Sequence, residues 1–368
     1  MPELFESTSI GEMVLSNRLI RSATWEGMAN EDGAVTSRLS AISEQLSRGG
    51  IGLIITGHAY VSPEGQATPW QLGVYSDKLL PGLSEMTKTV HGSGGRIIMQ
   101  LAHAGLHAAS SLGRLDPIGP SPFEKESKLV GQEMTQKDIK KTIEAFSNAS
   151  VRARIANFDG VQIHGAHGYL LSQFLSPFFN KREDEYGGNI GNRARLILEV
   201  LEAIRKAAGP DFPVLIKLNS EDFLNEGFTV DDMLQTAVML EENGIAAVEM
   251  SGGTVISGRR IPSRASKPDS AQSDAYYESA AIQFKKKVRT PLILVGGIRT
   301  FETAKRLVNE GVTDYIAFSR PLIREPGLVN RWKSGDRRAA LCISDNGCFK
   351  PGFDGKGVCC TIEFRSAN

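Results

Sequence analysis

A (β/α)8 barrel is the fold class the sequence predicts, and three observations predict it. Strand-like apolar runs alternate with helix-period segments from one end of the chain to the other. The runs number eight, and many are rich in Ile, Val and Leu with little alternation, as parallel strands buried on both faces are. The length, 368 residues, is long for one average domain and ordinary for such a barrel.

The strand candidates, in order, are Arg18–Ala23, Ile51–Thr56, Arg96–Leu101, Gly160–His164, Val214–Leu218, Ala247–Ser251, Leu292–Gly296 and Asp314–Ser319. Ahead of the first, Ile10-Gly11-Glu12-Met13-Val14 reads as a short hairpin closing the barrel floor. Several intervening helices have readable ends. Thr135-Gln136-Lys137-Asp138 opens one, with Ile139, Ile143 and Phe146 as its apolar stripe. Thr229 caps another, whose Met233, Ala237 and Leu240 face inward before Gly244 stops it. Thr300 begins a third, ending near Gly311. No linker and no low-complexity tract divides the chain.

Composition excludes several function classes. Hydrophobic residues make up 41% and charged ones 23%, the balance of a globular chain. Lys+Arg and Asp+Glu both total 42, so no basic excess exists to release counterions from a nucleic acid, and no nucleic-acid partner is expected. Lys285-Lys286-Lys287 reads as a solvated helix face. No apolar run approaches the ~20 residues that span a bilayer. The start, Met1-Pro2-Glu3-Leu4-Phe5-Glu6, lacks the features of a signal peptide, so no membrane partner and a cytoplasmic location are expected. All four cysteines lie between 342 and 360, too clustered to staple the rest of the chain.

In a barrel, the residues just beyond the carboxyl ends of the strands build the active site. The fourth strand delivers His164-Gly165-Ala166-His167-Gly168-Tyr169. Two imidazoles three residues apart can hold one oxygen, and the tyrosine can deliver a proton nearby, a set suited to carbonyl activation with protonation. Their other reading is a metal site completed by Asp159 or Glu183. Lys217 stands in the apolar strand Val-Leu-Ile-Lys-Leu, where an unpaired ammonium is costly; it must meet an anion, form a Schiff base or reach outward. Gly296-Gly297 with Ser319-Arg320 points to a phosphate after strands seven and eight, whereas Gly252-Gly253 is as readily a tight turn. Gln100 reads as a buried amide at a strand end, and His103 and His107 as structural.

Together these residues resemble a known family. Gln100-Leu101-Ala102-His103-Ala104-Gly105, His164-x-x-His167-Gly168-Tyr169-Leu170, Phe174-Leu175-Ser176-Pro177 and Asp184-Glu185-Tyr186-Gly187-Gly188 resemble the old yellow enzyme family of FMN-dependent ene-reductases. The nearest group is the bacterial NADH:flavin oxidoreductases, and the barrel is also similar to that of 2,4-dienoyl-CoA reductase. The resemblance implies an FMN-binding barrel over residues 1–335 and a tail, 336–368, holding the four cysteines. It implies that Gln100 bonds the flavin pyrimidine edge and that Lys217 lies near N1 and the C2 oxygen. Gly297, Ser319 and Arg320 would hold the FMN phosphate, and Ala23, Thr24, Gly57 and His58 would line the ring. His164 and His167 would grip a substrate carbonyl, and Tyr169 would protonate the α carbon. NAD(P)H as co-substrate and a small enone or enoate as substrate follow, with a homo-oligomer left open.

Two departures from the family pattern matter. Many relatives carry proline and a Thr or Cys in the first-strand loop, where this chain has Ser22-Ala23-Thr24-Trp25, so either Thr24 or Trp25 faces the flavin. Trp25 otherwise walls the substrate pocket or simply packs. In the tail, Cys342, Cys348, Cys359 and Cys360 resemble the iron–sulfur segment of larger members, but Asp345 stands where a second cysteine is expected. An iron–sulfur cluster, a zinc site or a metal-free relic are the three readings of that tail. The competing functions are a barrel aldolase or lyase using Lys217 as a Schiff base, with Arg320 on a substrate phosphate, and a flavin electron-transfer protein.

Overall fold

Residues 3–109, 116–125, 128–265 and 275–362 are described by the structure, a computed structural model. The last six residues of the tail therefore lie outside the described residues. Eight parallel strands close into a barrel: β1 Leu19–Arg21, β2 Leu53–Ile55, β3 Ile97–Ala102, β4 Val161–Gly165, β5 Val214–Asn219, β6 Ala247–Ser251, β7 Leu292–Val295 and β8 Tyr315–Phe318. Each pairs with its successor, and β8 returns to β1 with Ile316 opposite Leu19. All eight strands read from the sequence are present, each within two residues at either end.

Alternation along the strands sorts their side chains into two cores. Leu19, Ile54, Met99, Val161, Ile163, Ile216, Val248, Leu294 and Ile316 face outward and pack beneath the helices. Ile20, Leu53, Ile55, Ile98, Leu215, Ala247, Ile293, Tyr315 and Ala317 face inward and fill the lower barrel. Both sets are buried, which is why the strands read as unbroken apolar runs. Above the inward apolar layer the same parity brings polar side chains: Gln100, Gln162, Lys217 and Glu249, then His164, Asn219 and Ser251.

The expected hairpin forms from Thr8–Ile10 and Met13–Leu15, antiparallel, with Gly11 at φ +55° in the turn. Its Ile10, Met13 and Leu15 join the inward cluster and plug the amino-terminal end of the barrel. The Tyr315 hydroxyl donates to the Ser9 carbonyl at 2.7 Å and meets Thr8 Oγ1 at 3.1 Å, fastening plug to barrel.

The helices packed outside are α1 Ser37–Arg48, α2 Leu80–Gly92, α3 Gln136–Ile155, α4 Ile190–Ala208, α5 Val230–Glu242, α6 Glu278–Lys287, α7 Phe301–Asn309 and α8 Leu328–Lys333. The three starts read from sequence are where they were expected. Thr135 and Asp138 form a reciprocal capping box on α3, Thr229 and Asp232 another on α5, and Thr300 accepts from the Thr303 N–H at α7. Of the lysine run closing α6, Lys286 and Lys287 are exposed while Lys285 pairs with Asp314 at 2.7 Å.

The tail is not an appendage. It lies across the carboxyl end of the barrel, where the Val358 N–H donates to the Glu26 carbonyl at 2.7 Å and the Phe353 ring packs 4.9 Å from Trp25. Ala340 N–H bonds the Arg299 carbonyl at 2.8 Å, tying its start to the loop after β7.

Candidate active site

A cavity of about 360 Å³ opens at the carboxyl end of the barrel. Its walls include Ala23, Thr24, Trp25, His58, Gln100, His164, His167, Tyr169, Lys217, Gly297, Ser319 and Arg320. Every cofactor, substrate and catalytic candidate read from the sequence thus converges there except Gly57. That glycine instead lies against Glu26, whose carboxylate oxygen would stand 2.3 Å from a Cβ.

A polar tier forms the cavity floor. Gln100 Nε2 donates to Gln162 Oε1 at 2.7 Å, and Gln162 Nε2 donates to Glu249 Oε2 at 2.8 Å. The other Glu249 oxygen meets Lys217 Nζ at 2.7 Å and accepts from Ser22 Oγ at 2.6 Å. Lys217 also donates to Ser22 Oγ at 2.9 Å. Lys217 therefore meets an anion, the first of the three outcomes open to it. Burial holds its pKa below the ordinary ammonium range, and Glu249 opposes that fall. Two of its three hydrogens are spent on Glu249 and Ser22, leaving one for a ligand above.

The β4 loop carries the imidazole–phenol group on strained backbone. His167 and Gly168 both adopt left-handed conformations, φ +65° and +77°. A non-glycine residue there costs energy that the surroundings must supply. They do: the His167 N–H donates to Asn219 Oδ1 at 3.2 Å, and His167 and Thr254 form a parallel bridge. Gln173, in the buried helix Leu170–Leu175, donates to the Gly168 carbonyl at 2.6 Å and accepts from the Leu106 N–H at 3.1 Å. The result gathers three rings: His164 lies 5.1 Å from His167 and 5.0 Å from Tyr169, centroid to centroid. His167 Nε2 meets Ser251 Oγ at 2.8 Å, Tyr169 Oη meets His58 Nε2 at 3.3 Å, and His164 Nδ1 is buried without a partner.

Burial sets the protonation states. It pushes His164 and His167 well below the usual imidazole range, with Lys217 and the neighbouring histidines adding to the fall. His58 is pushed down to about 4 by burial alone. All three imidazoles are neutral at pH 7, and burial raises the Tyr169 phenol, which stays protonated.

The opposite wall carries left-handed glycines beside Ser319 and Arg320. Gly296 and Gly297 adopt φ +113° and +78°, and a Cβ at Gly297 would stand 2.6 Å from the Tyr276 ring. Ser319 Oγ lies 2.7 Å from Thr24 Oγ1, and the buried Arg21 guanidinium donates to Thr24 Oγ1 as well. Arg320 uses Nη1 on Asn346 Oδ1 at 2.7 Å and on the Arg264 carbonyl at 2.8 Å. Gly252-Gly253, by contrast, is a tight turn: Gly253 has φ +80°, and its Cβ position is filled by the Arg260 carbonyl at 2.0 Å.

The metal readings are not supported. Among the described residues no group of three or more His, Cys, Asp and Glu side chains is placed to hold a metal ion. Asp159 is engaged at the amino-terminal end of β4 by His91 at 2.8 Å and the Ile97 N–H at 2.8 Å, and Glu183 is exposed, so neither can complete a site with His164 and His167. In the tail, Asp345 turns its carboxylate onto the Gly347 N–H at 3.2 Å. Ser344 and Asn346 adopt φ +58° and +62°, which aims the loop at Arg320. Cys348 is buried, with its thiol pushed up to about 11, while Cys342 Sγ accepts from the Ser344 N–H at 3.4 Å and Cys360 Sγ from Arg324 at 3.5 Å. The cysteines thus serve their own loops, against the expectation of an iron–sulfur cluster or zinc at Cys342, Cys348, Cys359 and Cys360.

Several site residues escaped the sequence reading. Glu249 and Gln162 share the inward parity of Lys217 and His164, and a carboxylate inside Ala-Val-Glu-Met-Ser is the same signal that singled out Lys217. Glu26, pushed up to about 7 by burial against the pull of Arg21, gave no periodic signal. Ser344 and Phe349 of the tail also line the cavity, which only the fold reveals.

Comparison with known proteins settles the ancestry of this site. Residues 3–338 match the NADH:flavin oxidoreductase / NADH oxidase family. The chain belongs to that family. It is 37% identical over 354 residues to the NADH oxidase of Thermoanaerobacter brockii, an alignment covering 94% of this chain and 53% of that protein. Among solved structures it resembles the old yellow enzyme homologue of Zymomonas mobilis, with a TM-score of 0.79, 27% identity and coverage of 96% and 98%. It also resembles morphinone reductase in complex with tetrahydroNAD, with a TM-score of 0.80, 26% identity and coverage of 96% of each chain. The chain spans about half the length of the NADH oxidase and nearly all of the two solved structures. The family is one of flavin-dependent oxidoreductases, and no helix among the described residues is long and apolar enough to cross a membrane.

Proposed function

We propose that the chain is an FMN-dependent ene-reductase, reducing the C=C bond of α,β-unsaturated carbonyl compounds with NAD(P)H. The observation that carries this reading is the convergence of His164, His167 and Tyr169 on one cavity wall.

The residues present fit a flavin mononucleotide. The side-chain-free backbone of Gly296 and Gly297, with Ser319 and Arg320, would receive its phosphate. The spare Lys217 hydrogen and the amide of Gln100 would meet the polar edge of its ring, with Ala23, Thr24 and His58 along its length. Gly57 supports this wall from behind through Glu26. When bound, FMN supplies the hydride that it takes from NAD(P)H; the nicotinamide analogue in the morphinone reductase complex supports that co-substrate.

The protein's own part is binding and proton control. Ser251 Oγ lies 2.8 Å from His167 Nε2 and orients that imidazole. Together His164 and His167 would offer neutral N–H donors to one carbonyl oxygen, drawing electron density from the β carbon. Because the imidazoles are uncharged, they polarise the carbonyl without giving up a proton to it. Tyr169, held protonated, gives its proton to the α carbon. Trp25, backed by Phe353 of the tail, walls the substrate side. The lyase alternative is disfavoured because the Lys217 amine is ion-paired to Glu249 at 2.7 Å rather than free to attack a carbonyl.

Anaerobic spectroscopy of the purified protein tests the reading. Oxidised-flavin absorption should bleach with NADH or NADPH and return on adding cyclohexenone. Tyr169→Phe should slow the return by about a hundredfold or more while leaving bleaching nearly unchanged. Bleaching that no enone reverses would favour the electron-transfer reading, and colourless protein trapped on substrate by borohydride would favour the lyase.

A further inference from the structure

We propose that His58 is a proton relay, resupplying the Tyr169 phenol after each proton transfer to substrate; this rests on the reading of Tyr169 as the proton donor. The need for a relay comes from burial. A phenolate left in this cavity is disfavoured by the same desolvation that keeps the phenol protonated, so the proton must be replaced as it leaves. Among the described residues, His58 is the hydrogen-bonding partner of that phenol, with Nε2 3.3 Å from Oη and the two rings edge to face at 5.4 Å. The phenol also meets the His164 ring at 5.0 Å, and the two imidazoles lie 6.3 Å apart.

His58 is placed to hold its aim. Its carbonyl accepts from Gln71 Nε2 at 2.9 Å, and the next residue, Ala59, pairs with Leu101 of β3. Its ring lines the cavity, and the residue is half-buried, as Tyr169 is. The step balances without net charge on the protein. The Tyr169 O–H bond breaks as the substrate C–H bond forms; the His58 Nε2–H bond breaks as the Tyr169 O–H bond re-forms; and Nδ1 takes a proton from solvent. Loss of that proton from Nδ1 and its regain at Nε2, both through water, restores the first tautomer. A neutral imidazole is the side chain suited to this, since one nitrogen can accept while the other donates. No electron is gained or lost in the relay.

The test uses the FMN-loaded protein and separates the two half-reactions by rapid mixing. His58→Gln keeps a hydrogen bond to the phenol but cannot pass a proton. It should slow oxidation by cyclohexenone at least about fivefold more than it slows reduction by NADPH. In a Tyr169→Phe background the same change should add no further loss, and free imidazole should restore part of the rate to His58→Ala. In flavin-free protein, Tyr169→Phe should shift the ¹⁵N resonance of His58 Nε2, a readout independent of turnover. Equal slowing of both half-reactions, additive losses in the double variant, or an unmoved Nε2 resonance would each overturn the relay and leave His58 as a cofactor-lining residue. Unchanged oxidation in Tyr169→Phe alone would instead remove the donor, and the relay with it.

Discussion

Lys217 and Glu249 show how one residue's role depends on a partner far away in sequence. They are 2% and 0% exposed, and their ion pair at 2.7 Å is extended by Ser22 and Gln162. Removing one member of such a pair leaves an uncompensated buried charge, at a cost of about 3–5 kcal/mol. Glu249→Gln should therefore lower the urea midpoint sharply, and Lys217→Met in the same chain should recover much of the loss. Additive losses in the double variant would show that the pair is not coupled. The sequence exposed Lys217 because a cation in an apolar strand is conspicuous, yet it could not say which anion answered it. That depended on β5 and β6 lying side by side with Lys217 opposite Glu249, a register no single strand encodes.

At the scale of elements, the strands and helix starts were legible because their signals are local. Capping hydroxyls sit three residues from the N–H groups that donate to them, and buried parallel strands leave uniform apolar runs. Thr229→Ala illustrates the strength of one such signal. It removes the hydroxyl half of the α5 capping box, leaving Asp232 on the backbone N–H of residue 229, and should cost about 0.5–2 kcal/mol, read as a lowered denaturation midpoint with little effect on flavin content. A change in flavin content equal to the loss of stability would show that α5 does more than brace the barrel. The tail was the least legible element. Its cysteines resembled a metal-binding pattern, but its fold is directed by contacts to Trp25, Glu26 and Arg320 in other loops. A roof over the cavity leaves no periodic trace, since its contacts are irregular and distant in sequence.

Across the whole molecule, buried neutral histidines tie stability to pH. His103 and His164 are 2% and 4% exposed, and burial lowers both, His103 to about 4. Above the unfolded value of 6.5 neither state binds these protons, so no stability depends on them. As pH falls below it, the unfolded chain takes up protons that the folded chain refuses, and stability drops by about 1.4 kcal/mol per pH unit for each group. For His103 the loss runs down to about pH 4, where the folded protein also protonates. Melting temperatures measured from pH 7 to 4 should fall accordingly, and His103→Gln should flatten the slope; an unchanged slope would refute the assignment. The seam between β8 and β1 has a consequence in time rather than energy. Ile316 meets Leu19 from opposite ends of the barrel sequence, so a ribosome must release all eight strands before the last ladder can form. Until then β1 presents an open edge, able to pair with whatever strand passes. During synthesis, the hazard for this protein is therefore the wait of its first strand for its last.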